Sequence, residues 1–317
     1  MNVYMQVQEP QVRRTSEIEE VTNRYLIHPM SEALVRPLAR WGVRPNTVSV
    51  LGMCFGGLAA VAYYNYGSWP YAVAGFLFMV GWHVLDGADG QLARLTGQSS
   101  ELGKILDGLC DHLAFALVYV SLTLAASSVW GGWVWIAAVL AGLSHLAQAS
   151  AYEFRRQSYD FWGHAKESAR LDTPEAARRA LVGKRGAARL FGHLYVAYLR
   201  LQHWMAGTDG DLADAMDRAL RQADGPDERA EIRAAYRAAH VDIVRRWGLL
   251  SSNYRTIAIF VAALLGSPLY FFLFETVVLN AVFGGLRTMQ ASQNLSLRTW
   301  LVEAGPAAPQ PVLSNPV

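Results

Sequence analysis

The sequence is poor in charged residues. Asp, Glu, Lys and Arg make up 17% of the 317 residues, whereas soluble domains usually carry about 25%. Lys and Arg are absent from three long intervals, which cover residues 45–93, 105–154 and 256–286. Each interval is longer than the roughly 20 apolar residues that cross a bilayer as one helix. The distribution of charge therefore predicts a membrane protein and argues against an ordinary soluble domain.

Cysteine is also scarce, with Cys54 and Cys110 in separate apolar stretches. Two cysteines so placed are expected to pack as small apolar side chains, and they do not indicate a disulfide framework. The first twenty residues mix acidic and basic side chains and do not resemble a cleavable signal peptide. The net charge of +2 comes with no nucleic-acid-binding motif, so we expect no nucleic-acid partner.

Apolar periodicity predicts an all-α, polytopic membrane protein with about six transmembrane helices. The predicted spans are approximately 47–65, 70–92, 104–126, 132–153, 254–267 and 268–287. Gly266 and Pro268 interrupt the last apolar stretch, so two short or tilted spans are predicted there, and one long span is the alternative.

The charges predict the orientation of these spans. The turns near residues 66–70, 126–132 and 266–270 contain no charged residue, whereas the opposite helix ends carry Arg and Lys. Under the positive-inside rule, both termini and both charged loops face the cytoplasm. The expected location is a bacterial inner membrane.

Composition divides the chain into five parts. A tail and a surface amphipathic helix occupy 1–42, and four spans occupy 43–153. A polar, helical, cytoplasmic insert follows at 154–253, with a break at 223–226 where Gly225 and Pro226 lie. The last spans occupy 254–290 and a C-terminal tail occupies 291–317.

The chemistry is predicted to lie between residues 85 and 112, where four carboxylates fall in or beside membrane helices. Ionisable groups are costly there and indicate a functional site. The four are Asp86, Asp89, Asp107 and Asp111. Helical spacing places the members of each pair on one face, so the four should converge near the membrane surface. Divalent cations would relieve their repulsion, and oxygen ligands favour Mg²⁺ or Mn²⁺ over zinc.

Small and basic residues accompany the carboxylates. Gly90, Ala93 and Gly103 leave room for the close approach of a ligand, and the guanidinium of Arg94 suits phosphate oxygens. Metal, phosphate and cation together indicate a phosphoryl-transfer site.

The pattern Asp-x-x-Asp-Gly-x-x-Ala-Arg, eight residues, Gly-x-x-x-Asp-x-x-x-Asp resembles the signature of the CDP-alcohol phosphotransferase (phosphatidyltransferase) family. All eight signature positions match: Asp86, Asp89, Gly90, Ala93, Arg94, Gly103, Asp107 and Asp111. The resemblance covers 45–155 well and 254–287 loosely, and it does not cover the insert.

The resemblance implies a six-helix membrane fold, often dimeric, whose site opens to the cytoplasm. It implies that Asp86, Asp89 and Asp107 ligate a pair of Mg²⁺ or Mn²⁺ ions. Asp111 would complete the metal site and act as general base on the attacking hydroxyl. Gly90, Ala93, Arg94 and Gly103 would form the pocket for the CDP-linked donor. The alcohol would attack the donor's β-phosphorus and release CMP.

The substrates remain open between two groups. Members similar to this chain transfer phosphatidyl from CDP-diacylglycerol to a polar alcohol, or phosphocholine or phosphoethanolamine from a CDP-alcohol to diacylglycerol. Tyr152, Arg155 and Arg156 partly match the acceptor-phosphate site of inositol-phosphate-using members, although Phe154 stands where a Lys is often found. The arginines could equally anchor the helix end. We favour CDP-diacylglycerol as the donor.

Two other classes of protein, a membrane scaffold and a cation channel or transporter, are the alternatives to an enzyme. A non-catalytic membrane scaffold would be expected to lose signature residues, and none is lost. A cation channel or transporter would be expected to spread its carboxylates over several spans near mid-membrane. The four carboxylates lie instead on two consecutive predicted helices, beside glycines and an arginine, and this arrangement favours an enzyme.

Overall fold

The computed structural model describes residues 15–98, 101–170, 172–206 and 209–304. Within these ranges the regular structure is helical, with no strand, so the all-α prediction is confirmed. The chain divides into two compact units. The first comprises the described residues up to Gly142 together with Asn253–Phe274, and the second comprises Leu143–Ser252 with the described residues from Glu275 onward.

The described residues form twelve α-helices, numbered in chain order. They are α1 His28–Arg40, α2 Pro45–Tyr64, α3 Trp69–Thr96, α4 Glu101–Trp130, α5 Val134–Ser158, α6 Pro174–Arg179, α7 Gly186–Ala206, α8 Asp209–Gln222, α9 Pro226–Trp247, α10 Ser252–Leu264, α11 Leu269–Leu273 and α12 Leu279–Thr299. A π-helical turn, Phe274–Val278, connects α11 to α12.

Five helical segments of the described chain are long and apolar enough to cross a membrane. They are Pro45–Tyr64, Trp69–Thr96, Cys110–Trp130, Val134–Gly163 and Leu269–Glu303. The first four correspond to predicted spans, and the fifth begins where the sixth predicted span begins but continues further. The polytopic membrane fold is therefore confirmed.

The predicted span 254–267 differs from the others. Its helix, α10, has 13 residues, which at a rise of 1.5 Å per residue gives about 20 Å, short of a hydrocarbon core about 30 Å thick. The cause lies in the residues that follow: Gly266 has a positive φ of 79°, and Pro268 caps the next helix. The apolar stretch is therefore interrupted at Gly266 and Pro268, and within the described residues only its second part, Leu269–Glu303, is long enough to cross a membrane.

Three helices, α2, α3 and α4, form the centre of the first unit, and α2 packs against both others. Aromatic rings fill much of the interior. Trp82 packs edge-on against Phe115 at 5.3 Å between ring centroids, and Tyr119 does the same with Phe271 at 5.3 Å. Gly56 of α2 sets the approach to α4, because a Cβ atom there would lie only 2.7 Å from the Cβ of Ala114.

Gly56→Ala is expected to lower the free energy of unfolding by about 1–3 kcal/mol, because the added methyl overfills a packed interface. The Cα of Ala114 would also lie 3.3 Å away, so a side-chain rotation cannot relieve the contact. The measurement is thermal unfolding in detergent. Gly57→Ala is the control, since a Cβ there meets nothing within 4 Å. Equal effects of both variants would contradict this packing.

The helix α1 packs against α3 through a hydroxyl. Ser31 Oγ donates to the carbonyl of Val84 at 2.7 Å, and a Cβ at Gly87 would lie 2.6 Å from the same Oγ. Apolar side chains of this region remain exposed, among them Met30 and Trp41. That this helix lies on the membrane surface stays a prediction.

In the second unit, buried polar side chains connect α5, α8, α9 and α12. The amide of Asn294 accepts from Gln290 Nε2 at 2.9 Å and contacts His240 Nε2 at 2.9 Å. Its nitrogen donates to Asp209, which is ion-paired with Arg155. The insert is helical here, and the predicted break is confirmed because α8 ends at Gln222 and α9 begins at Pro226.

Candidate active site

The candidate site begins with Asp89 on α3, whose side chain is buried. Ser49 Oγ, near the start of α2, donates a hydrogen bond of 2.6 Å to Asp89 Oδ2. Pro45 starts α2 after Arg44, whose backbone is extended, and a proline in the first turn favours helix initiation. The sequence thus fixes where α2 begins, and Ser49 follows one turn later.

Three of the four predicted metal ligands line one pocket. Asp86 and Asp89 come from α3, and Asp111 comes from α4. The full lining consists of Ser49, Gly52, Trp82, Asp86, Asp89, Cys110 and Asp111. The structure therefore brings together carboxylates that are 25 residues apart in sequence.

The signature in the sequence lies only on α3 and α4 and does not predict the contribution of α2. Ser49 and Gly52 belong to α2. A signal was present, because Ser49, Gly52 and Gly56 are small residues spaced by three and four, which places them on one helical face. Such faces allow helices to approach closely in a membrane.

The predicted donor-binding residues lie toward the end of α3. Gly90 and Ala93 are half-buried, and Arg94 is exposed. The guanidinium folds back over the glycine, because a Cβ at Gly90 would lie 3.5 Å from Arg94 Nη1. Gly103 and Asp107 lie on α4, but the burial and side-chain contacts of these two positions lie outside what the structure describes.

The donor set agrees in type with the predicted metal. Carboxylate oxygens from Asp86, Asp89 and Asp111 share the pocket with the hydroxyl of Ser49, and hard cations such as Mg²⁺ prefer oxygen. Among the side chains that the structure describes, no group of three His, Cys, Asp or Glu is close enough to hold an ion. Asp107 is not among the side chains that the structure describes.

The arginines predicted for the acceptor phosphate belong to the second unit. Arg155 is buried and ion-paired with Asp209, and its guanidinium lies over the rings of Phe154 and Trp247 at 5.4 Å each. Arg156 donates to both carboxylate oxygens of Glu153, at 2.8 and 2.5 Å. Both arginines thus have acidic partners, and a phosphate-binding role for them stays a prediction.

Ser49→Ala is expected to weaken metal activation about tenfold, because a residue that orients a metal ligand typically affects affinity by that order. The measurement is activity as a function of Mn²⁺ concentration. The control is Ser127→Ala, whose hydroxyl donates to the carbonyl of Leu124 within its own helix. An unchanged Mn²⁺ requirement would contradict the orienting role of Ser49.

Known proteins are similar to the part of the chain that contains this pocket. Residues 42–172 match the model of the family described as CDP-alcohol phosphatidyltransferase. The matched segment contains all the pocket residues named above. It also reaches past Arg155 and Arg156 into the insert.

Three relatives show how far the similarity extends. An archaetidylinositol phosphate synthase from Pyrococcus horikoshii is 32% identical over 99 residues, which cover 31% of this chain and 50% of that protein. A phosphatidylinositol phosphate synthase from Mycobacteroides abscessus is 30% identical over 117 residues, 36% of this chain and 49% of that protein. Choline/ethanolaminephosphotransferase 2 from Arabidopsis thaliana is 27% identical over 124 residues, 36% of this chain and 31% of that protein. The chain thus spans about half the length of the first two.

Proposed function

We propose that this protein transfers a substituted phosphate from a CDP-linked donor to an alcohol and releases CMP. The observation that carries the proposal is the pocket that Asp86, Asp89 and Asp111 line. Phosphoryl transfer requires a place where the charge of the phosphates is neutralised and a base that takes up a proton.

In the proposed mechanism, Asp111 accepts the proton of the attacking hydroxyl. The alcohol oxygen forms a bond to the β-phosphorus of the donor, and the bond from that phosphorus to the bridging oxygen breaks, so that CMP leaves. Asp86, Asp89, Asp107 and Asp111 would hold two Mg²⁺ or Mn²⁺ ions. When bound, these ions neutralise phosphate charge. Ser49 keeps Asp89 oriented toward the pocket.

The proposed donor site lies at the end of α3. Arg94 is exposed, and the N–H groups of its guanidinium suit the oxygens of donor phosphates. Gly90, Ala93 and Gly103 provide a surface without bulky side chains, against which the cytidine would lie.

We favour CDP-diacylglycerol as the donor and a polar alcohol, or its phosphate, as the acceptor. Two of the relatives are named as synthases of inositol phosphate lipids, which supports this choice. Arg155 and Arg156 would contribute to an acceptor-phosphate site. The plant relative is named as a choline/ethanolaminephosphotransferase, and it supports a second candidate in which diacylglycerol is the acceptor.

We further propose that the pocket opens at the cytoplasmic face of the membrane. The proposal follows from the positive charges at that end of the spans. A bacterial inner membrane would supply both the lipid substrate and this orientation.

The test is CMP release by the purified protein with Mg²⁺ or Mn²⁺. The donors are CDP-diacylglycerol, CDP-choline and CDP-ethanolamine, each offered with a mixture of polar and lipid alcohols. CMP release with a lipid product from CDP-diacylglycerol is the expected result. Release from the other donors alone would favour the second candidate. Folded protein that releases no CMP from any of the three would contradict the proposal.

A further inference from the structure

The stretch from Ala176 to Ala206 in the insert contains cations and no carboxylate. Its cations are Arg178, Arg179, Lys184, Arg185, Arg189 and Arg200, and all six are exposed. The nearest carboxylates in sequence are Glu175 and Asp209. Such a local excess of one charge attracts a surface of the opposite sign.

The helix α7, which forms most of this stretch, has apolar side chains on two opposite faces. One face is buried and includes Val196 and Leu199. The other face has Leu190, Leu194 and Trp204, which are 61%, 53% and 71% exposed. The spacing of four and ten residues places these three within one stripe along the helix.

Exposed apolar side chains flanked by cations are the pattern of helices that lie in the plane of a membrane surface. Arg189 and Arg200 lie on α7 close to the apolar stripe, and the other four cations precede them in sequence. With 21 residues, α7 is about 31 Å long, so the stripe extends along most of its length.

We propose that α7 lies on an anionic phospholipid bilayer, with Leu190, Leu194 and Trp204 among the headgroups and the six cations bound to lipid phosphates. The charge of the stretch favours anionic lipid over an apolar protein partner. The apolar stripe favours lipid over nucleic acid, which would bind the cations and leave Leu190 and Leu194 in water. Each basic residue near an anionic surface adds to the attraction.

The proposal does not depend on the proposed reaction, and its test uses no activity. Leu194→Cys is prepared in the full-length Cys54→Ser protein and labelled with an environment-sensitive fluorophore. Cys110 is buried, and the Cys54→Ser parent without a new cysteine gives the background. The labelled protein is reconstituted in nanodiscs of phosphatidylcholine alone or with added phosphatidylglycerol.

The expected result is a shift of the emission to the blue in anionic nanodiscs, reversed by salt and smaller in neutral nanodiscs. Replacing Arg178, Arg179, Lys184, Arg185 and Arg189 by Gln should abolish the difference between the two membranes. The control label is Ala230→Cys on the exposed side of α9, beside Glu231, where no shift is expected.

Three outcomes would overturn the proposal. The first is an equal emission in neutral and anionic nanodiscs. The second is a blue shift already present in detergent without phospholipid, which would indicate burial against protein. The third is a shift produced by adding RNA to the detergent-solubilised protein but not by anionic lipid, which would assign the cations to nucleic acid.

Discussion

Asp111→Asn is expected to lower the rate of CMP release at least about a hundredfold, because general-base catalysis typically contributes a factor of that size or more. The substitution keeps the shape of the side chain but removes its ability to take the proton of the attacking hydroxyl. Because Asp111 lines the pocket with Asp86 and Asp89, the remaining carboxylates should still support donor binding. The measurements are CMP release and equilibrium binding of the donor, made on the same preparation.

The matched control is Asp242→Asn, which removes a carboxylate that pairs with Arg245 on the protein surface at 3.3 Å. This variant should retain the rate of the unmodified protein. Near-normal turnover of Asp111→Asn, with donor binding intact, would remove Asp111 from the role of base. Loss of both turnover and donor binding would instead assign it to the metal site alone.

Asp89→Ala is expected to abolish stimulation by Mn²⁺ over the range that activates the unmodified protein. The side chain is buried, held by Ser49, and lines the pocket with Asp86. Removing the Asp89 side chain deletes a charged oxygen ligand. The loss of Mn²⁺ stimulation should therefore exceed the loss caused by Ser49→Ala, which removes only the hydrogen bond that orients this ligand. The measurements are CMP release during Mn²⁺ titration and Mn²⁺ binding followed by electron paramagnetic resonance.

The order of the effects makes this prediction specific. If Ser49→Ala were more damaging than Asp89→Ala, Ser49 rather than the carboxylate would dominate the site. If Asp89→Ala bound Mn²⁺ normally, Asp89 would not be a metal ligand. Size-exclusion profiles of both variants separate these results from misfolding.

Local patterns predict most of the membrane helices of this chain. The first four spans are long, apolar and bounded by charge or turn residues, so hydropathy alone places them. The stretch after Asn253 is less predictable, because 13 residues of α10 are as apolar as a longer span. The positive φ of Gly266, which ends this stretch, is permitted by glycine but is not required by it.

The candidate site was predictable only in part. Asp86 and Asp89 share a helical face, so their proximity follows from spacing. The hydrogen bond between Ser49 and Asp89 joins residues 40 positions apart, and no local pattern encodes such a pair. The same holds for Arg155, whose partner Asp209 lies in the insert. Only the folded chain reveals that this arginine already has a carboxylate.

Asn280 connects the last spanning segment to α5, a helix that is synthesised much earlier. Its side chain donates to Ser144 Oγ at 2.9 Å and accepts from Gln148 Nε2 at 2.8 Å, across 136 and 132 positions of sequence. A polar amide is costly in lipid, and a hydrogen bond to another helix reduces that cost. Because synthesis proceeds from the N-terminus, the hydroxyl and amide of α5 are already in the bilayer when Asn280 arrives. The side chains that bind Asn280 are therefore in place before the last spanning segment is inserted, and this order of synthesis favours the correct assembly.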